Sequence, residues 1–220
     1  MVNLLNIGTV HTGFETQLIN WMAEYKDKYE FKFFVPVARP IPNNRNKIAK
    51  KFIEGDWDWL VMFDEDTFLI TNPFSILDRN LDVCGGVYPG RNPRGFNFHV
   101  FDLDMEKYPK ETVFKFVAPE KREGVQKVDA LGTGCIFVKR HVIEKMYEKK
   151  WAPFEDTFDE YGIMKHSDDM AFCLKCRELG IPVHADWNVI CDHMKETSLL
   201  QCLELIQRAA ATGKAEISVK

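Results

Sequence analysis

The stretch Trp57-Asp58-Trp59-Leu60-Val61-Met62-Phe63-Asp64-Glu65-Asp66 decides how this chain folds. From Trp57 to Phe63 it is nearly continuous in apolar side chains, the pattern of a strand buried on both faces of a parallel sheet. It ends abruptly in three acids. Open parallel sheets take their ligands at the carboxyl ends of their strands, so charge has a use here. Asp64 and Asp66, two residues apart, can meet one divalent cation directly or through its waters, and such a cation offsets the charge of a diphosphate.

Upstream, the apolar run Val2 to Val10 reads as a first core strand, and Thr12-Gly-Phe-Glu15 as a capping box that opens a helix to about Lys28. Phe31 to Val37 is a second strand, stopped by Pro40 and Pro42, which cannot continue a ladder. Asn43 or Asn44 caps the next helix, whose Ile48, Ala49, Phe52 and Ile53 form one apolar stripe and which Gly55 closes. Downstream, Thr71-Asn72-Pro73 opens a short helix to about Arg79, and Asp82 to Tyr88 is a fourth strand with a glycine pair where something approaches the backbone closely. This alternation of strand and helix implies an α/β, doubly wound sheet.

From Pro89 to Gln126 the periodicity fades, with short strands at Phe96 to Phe101 and Thr112 to Val117. A strand from Val128 to Val138 carries Gly132-Thr133-Gly134, and the helix after it turns Val142, Ile143 and Met146 inward. Trp151 to Gly162 is an aromatic, acidic loop, whose rings could clamp a saccharide by stacking together with Arg91 and Arg94. Ser167 to Leu179 is helical and stopped by Gly180, and Val183 to His193 holds one or two strands. Ser198-x-x-Gln201 caps a last amphipathic helix, with a frayed tail beyond Gly213.

The 220 residues are 45% hydrophobic, 28% charged and 13% aromatic, which excludes wholesale disorder and allows one large core. A net charge of −4 argues against a nucleic-acid partner, since phosphate binding needs a basic face. No apolar run is long enough for a membrane span, and the N-terminus lacks a basic n-region and a cleavage site, so a cytoplasmic protein is expected. The six cysteines are scattered through apolar segments and read as reduced core residues. Cys173-Leu-Lys-Cys176, inside a helical pattern and without a second pair, reads as packing.

Asp168-Asp169 begins a helix, where the dipole and the open N–H groups favour negative charge. His193 ends an apolar strand. In order along the chain, Arg45-Asn46, then Trp59 to Asp66, then Gly132-Thr-Gly134-Cys-Ile-Phe-Val-Lys-Arg140, then Ser167-Asp-Asp169, then His193 together resemble a nucleotide-sugar glycosyltransferase of the GT-A fold. The series is similar to the large, mostly inverting second family, over roughly residues 1–195.

The resemblance implies a doubly wound mixed sheet flanked by helices in one domain. Its nucleotide-binding half would span about residues 1–88 and its acceptor half about 89–195, leaving 196–220 as a C-terminal helix and tail. It implies metal ligation by Asp66 and His193, with Asp64 on the metal, one of its waters or the nucleotide ribose. Mn²⁺ suits such a mixed shell better than Mg²⁺, which stays the second choice. Asp169 matches the base that takes the acceptor proton, with Asp168 beside it. Arg45 and Thr9 would lie along the nucleotide, and Gly132, Thr133 and Gly134 would let the sugars approach.

The implied partners are a nucleoside diphosphate sugar, UDP-linked by preference, and a saccharide or other hydroxyl acceptor. The first loop, Gly8 to Thr12, lacks the family's proline-led opening, and no Gln-x-x-Arg-Trp element of the processive synthases follows. The expectation is a single, non-processive hexosyl transfer. Phe63-Asp-Glu-Asp-Thr67 also resembles the Asp-x-Asp-x-Thr/Val motif of haloacid-dehalogenase-like phosphatases, but Phe68 stands where Thr or Val is needed. No Gly-rich, Lys-containing phosphate loop of a sugar nucleotidyltransferase is present near the N-terminus. An inactive sugar-binding scaffold of the same fold is the non-enzymatic alternative, and it would bind no metal.

Overall fold

An apolar run can be buried on two faces only where layers cover both, and the computed structural model, which describes residues 2–5, 12–34, 40–64, 66–92 and 95–194, has that arrangement. The chain runs β1 (Val2–Leu5), α1 (Thr12–Tyr25), β2 (Phe33–Phe34), α2 (Ile41–Glu54), β3 (Trp59–Asp64), β4 (Thr67–Leu69), a 3-10 segment (Pro73–Arg79) and β5 (Val83–Val87). It continues through β6 (Pro89–Asn92), β7 (Gly95–Phe98), β8 (Val100–Leu103), β9 (Phe114–Phe116), a 3-10 turn (Pro119–Lys121), β10 (Val125–Val128), β11 (Ala130–Leu131) and β12 (Cys135–Lys139). Then follow α3 (Arg140–Glu148), β13 (Thr157–Phe158), β14 (Met164–His166), α4 (Asp168–Glu178) and β15 (Val183–His193). Thr9, Arg94, Cys202 and the last helix read from Ser198 lie outside the described residues.

β3 divides its side chains between two cores with the period of two that a strand imposes. Leu60 and Met62 join Ile136 and Val138 of β12 beneath Ile48 and Phe52 of α2, Ile143 and Met146 of α3, and Phe172 of α4. Val61 and Phe63 join Phe137 beneath Leu18 of α1 and Phe74 and Leu77 of the 3-10 segment. The rings of Phe63, Phe74 and Phe137 meet edge to face at 6.0 to 6.3 Å, each ring worth about 1.5–3 kcal/mol when fully buried.

The main sheet has the order β10-β15-β5-β12-β3-β1-β2, with β4 paired to the far end of β15. β1 is parallel to β2 and β3, and β15 is parallel to β5. β12 lies between β3 and β5, antiparallel to both, and β10 is antiparallel to β15. The sheet is therefore mixed. The reason is the long return through residues 89–131, which delivers the chain to β12 at the end where β3 and β5 finish.

Element ends moved where local signals misled. The first helix stops at Tyr25, and α2 starts at Ile41, before either asparagine read as its cap. Pro42 sits in its first turn, where a missing N–H costs nothing. Asn44 is thereby drawn into the helix and fully buried. Residues 183–193 form one strand, interrupted between Asp186 and Ile190. The glycine pair of β5 admits protein: a Cβ on Gly85 would stand 2.7 Å from the Cys135 carbonyl, and one on Gly86 2.7 Å from Val189. Phe154, read as part of a saccharide clamp, is fully buried and stacks on Phe172 with centroids 4.8 Å apart.

Candidate functional site

The end of β3 is pinned first by backbone: the Asp64 N–H donates to the Gly134 carbonyl at 3.0 Å. Its side chain then meets Arg45, one turn into α2, whose Nη2 donates to Asp64 Oδ1 at 3.0 Å and Oδ2 at 3.1 Å. Nη1 of the same guanidinium donates to Asp168 Oδ2 at 2.6 Å, in the first turn of α4. Arg45 is 5% exposed, so this is a buried cation shared by two carboxylates. Burial pulls the Arg45 pKa down, but Asp64 and then Asp168 outweigh it and leave the net shift upward. Burial pushes the Asp168 carboxyl up against the opposing pull of Arg45. At 2.6 Å from a permanently protonated guanidinium, the pair is held as ions.

α4 presents its acids in an ordered first turn. The Asp168 N–H donates to Asp156 Oδ1 at 3.0 Å, and the Ser167 hydroxyl donates to Asp169 Oδ1. Asn46, beside Arg45, accepts from the Phe154 N–H at 3.0 Å and so ties that loop to α2.

Asp66 and His193 meet across the β4–β15 ladder, with Nε2 and Oδ2 at 3.2 Å. His193 Nδ1 is buried with no hydrogen-bond partner among the described residues. The His193 and His99 rings each pack 5.3 Å from Tyr88 and lie 6.1 Å from one another. The buried Tyr88 hydroxyl accepts from the Gly134 N–H at 3.1 Å. Burial, then Asp64 and Asp169, hold its pKa far above the usual phenol. The glycines of 132–134 make room for that ring: a Cβ on Gly132 would stand 2.0 Å from the Tyr88 hydroxyl, and one on Gly134 3.0 Å from Cζ. Thr133 is fully buried, with no partner for its hydroxyl among the described residues.

Arg45, Asp64, Asp168, Asp169, Asp66, His193 and Gly134, read separately from the sequence, are thus linked through direct contacts or shared neighbours. Asp64, Asp66 and His193 do not gather into one donor set: among the described residues no three His, Cys, Asp or Glu side chains are grouped to hold a metal ion. The Asp66–His193 pair offers one carboxylate and one imidazole, a donor set whose chemistry fits Mn²⁺ better than Mg²⁺. Tyr88 and Asp156 were missed. Tyr88 follows the end of β5 and falls under the same strand-end rule as Asp64, whereas Asp156 sits in a stretch with no period to mark it.

No protein-family model matches the chain, and no curated protein does. Among solved structures, A197 from STIV matches with a TM-score of 0.53 and 21% identity over 89% of this chain and 87% of that one. GalNAc-T7, in a crystal structure with UDP, GalNAc and Mn²⁺, matches at 0.47 and 13% identity over 89% of this chain and 38% of its own. The nucleoside-diphosphate-sugar pyrophosphorylase from Vibrio cholerae RC9 matches at 0.40 and 12% identity, over 87% and 92%. The first likeness is one of overall fold. The other two are too distant to argue from. The class so defined is a mixed α/β protein with a polar site at the carboxyl edge of its central strands. No helix among the described residues is long and apolar enough to cross a membrane.

Proposed function

We propose that the chain is a metal-dependent glycosyltransferase that moves a hexose from a nucleoside diphosphate sugar, UDP-linked by preference, to a hydroxyl acceptor with inversion. The observation that carries this reading is the buried Arg45 bridging Asp64 and Asp168, with the Asp66–His193 pair close by. A solvated acidic turn would need no buried cation, because leaving water is costly for every one of these ions unless the geometry is used.

In this reading Asp66 and His193 hold a divalent cation, which when bound neutralises charge on the departing diphosphate. Asp64, its carboxylate fixed by Arg45, is left to orient the ribose. Asp169 takes the proton of the acceptor hydroxyl as that oxygen attacks, a contribution of about 10²–10⁴ in rate. The Ser167 hydroxyl, donating to Asp169 Oδ1, aims the carboxylate. Asp168 stays paired to Arg45 and keeps α4 against α2. The nucleotide half would end near residue 88 and the acceptor half would follow. The engagement of both Asp64 oxygens by Arg45 favours this reading over a phosphatase, whose nucleophile must be open to attack.

Calorimetric titration of UDP and GDP, each with and without Mn²⁺, tests the reading on wild type and Asp66→Ala. Manganese-dependent binding of one nucleotide, lost in the variant, is expected. Absence of binding under every condition would leave the inactive scaffold as the better account.

A further inference from the structure

Beside Ser167 and Asp168 a cavity of about 470 Å³ opens between the start of α2, the base of the β13–β14 hairpin and the start of α4. That volume lies in the range of small-molecule sites, about 300–1,000 Å³. Pro40, Ile41, Pro42 and Met164 give it an apolar wall, and its charged lining residues are Asp156 and Asp168. The hairpin continues the apolar surface: Phe158, Tyr161, Ile163 and Met164 are all more than half exposed. Its tip is nonetheless built, because Asp159 Oδ1 accepts from the N–H groups of Tyr161 and Ile163 at 2.9 and 2.8 Å. Backbone polarity is satisfied inward while large apolar side chains face out. Asp156 fastens the hairpin base to α4 through the Asp168 N–H.

We propose that this cavity and hairpin form the acceptor site, and that the acceptor is an uncharged glycoside carrying an apolar aglycone. The proposal rests on the transferase reading. Ser167 lines the cavity and donates to Asp169, so a sugar hydroxyl entering there comes within one side chain of the base, while the aglycone lies along Ile41, Met164 and the hairpin. Asp168 is paired to Arg45, but Asp156 of the lining with Asp159 and Glu160 at the tip outnumber Lys165 of the hairpin, so an anionic head group or an anionic bilayer is disfavoured.

Calorimetry with octyl β-glucoside below its micellar concentration, methyl β-glucoside and octyl sulfate tests this on wild type, Met164→Glu and Ile41→Glu. UDP and GDP are titrated in parallel with Mn²⁺. The octyl glucoside should bind at least about tenfold tighter than the methyl glucoside, which the burial of about two methylenes supplies. Both variants should lose that gain and bind nucleotide as wild type does. Both replaced side chains are exposed, so folding should be spared. Equal affinity for the two glucosides, unchanged octyl glucoside binding in both variants, or tighter binding of octyl sulfate would overturn the proposal. Failure of both nucleotides to bind, with the octyl glucoside preference intact, would instead remove the transferase reading and leave an apolar glycoside site.

Discussion

At the scale of single residues the site is governed by one buried guanidinium. Arg45 supplies one positive charge to two carboxylates, so removing it leaves two acids unpaired in a poorly solvated place. Arg45→Met should therefore lower stability by about 3–5 kcal/mol in urea unfolding, and Arg45→Lys should recover only part, because one ammonium cannot reproduce a planar guanidinium that gives Nη2 to Asp64 and Nη1 to Asp168. A loss below about 1 kcal/mol for Arg45→Met would mean that the triad is solvated. On the proposed transferase reading, Asp169→Asn should keep metal-dependent nucleotide binding and lower turnover by about 10²–10⁴. Turnover near wild type would move the base elsewhere. The acids themselves were legible, since each stands at a strand end or a helix start. Their pairing was not: Arg45 lies 19 residues from Asp64 and 123 from Asp168.

At the scale of elements, the turn before β12 and the end of β5 are fitted to one another. Gly132→Ala would set a methyl 2.0 Å from the Tyr88 hydroxyl and 2.8 Å from Cζ. It should destabilise by about 1–3 kcal/mol, the range of overpacking. Tyr88→Phe, which leaves the Gly134 N–H without its acceptor, should cost about 1–3 kcal/mol alone. In the double variant the costs should sum to less than their total, because the closest clash is with the oxygen removed. Strict additivity would show that the two positions do not touch. Gly-x-Gly was legible as a close approach, but the sequence could not say that Tyr88 is what approaches.

β15 carries a pH response of its own. Burial lowers the His184 pKa, a pull that its bond to Val83 and the charge of Asp82 oppose and that Lys127 on β10 reinforces. The folded chain therefore takes up a proton less readily than the unfolded one. Stability from neutral His184 is full above its ordinary value near 6.5 and is lost as pH falls below it. Urea midpoints measured from pH 7.5 down to 5.0 should fall more steeply for wild type than for His184→Gln, and parallel curves would exclude this group.

For the whole molecule, two cores on the faces of one sheet hold the thiols. Cys84, Cys135, Cys173, Cys176 and Cys191 are buried and form no disulfide among the described residues. Burial pushes Cys84 and Cys173 up to about 12. The folded chain keeps those protons better than the unfolded one, whose thiols titrate near 8.5. This stability is fully present below about pH 8.5 and is lost as pH rises toward about 12. Native protein at pH 8 should leave these five unreacted with a thiol reagent, and urea should release them together. Rapid reaction of several in the folded state would contradict the burial.

The sequence by itself determined the α/β architecture, a sheet with helices on both faces, and the acid at the end of its third strand. Apolar periodicity is local, and Trp59 to Asp64 states within six residues both a strand covered on two sides and the first acid at its end. Tertiary structure alone decided that β12 runs against its neighbours, that one arginine joins two acids, and that an apolar cavity opens beside Ser167. Each of these depends on which strands lie side by side. Segments far apart in the chain choose their neighbours by the area and charge they bury together, and no local pattern records that choice.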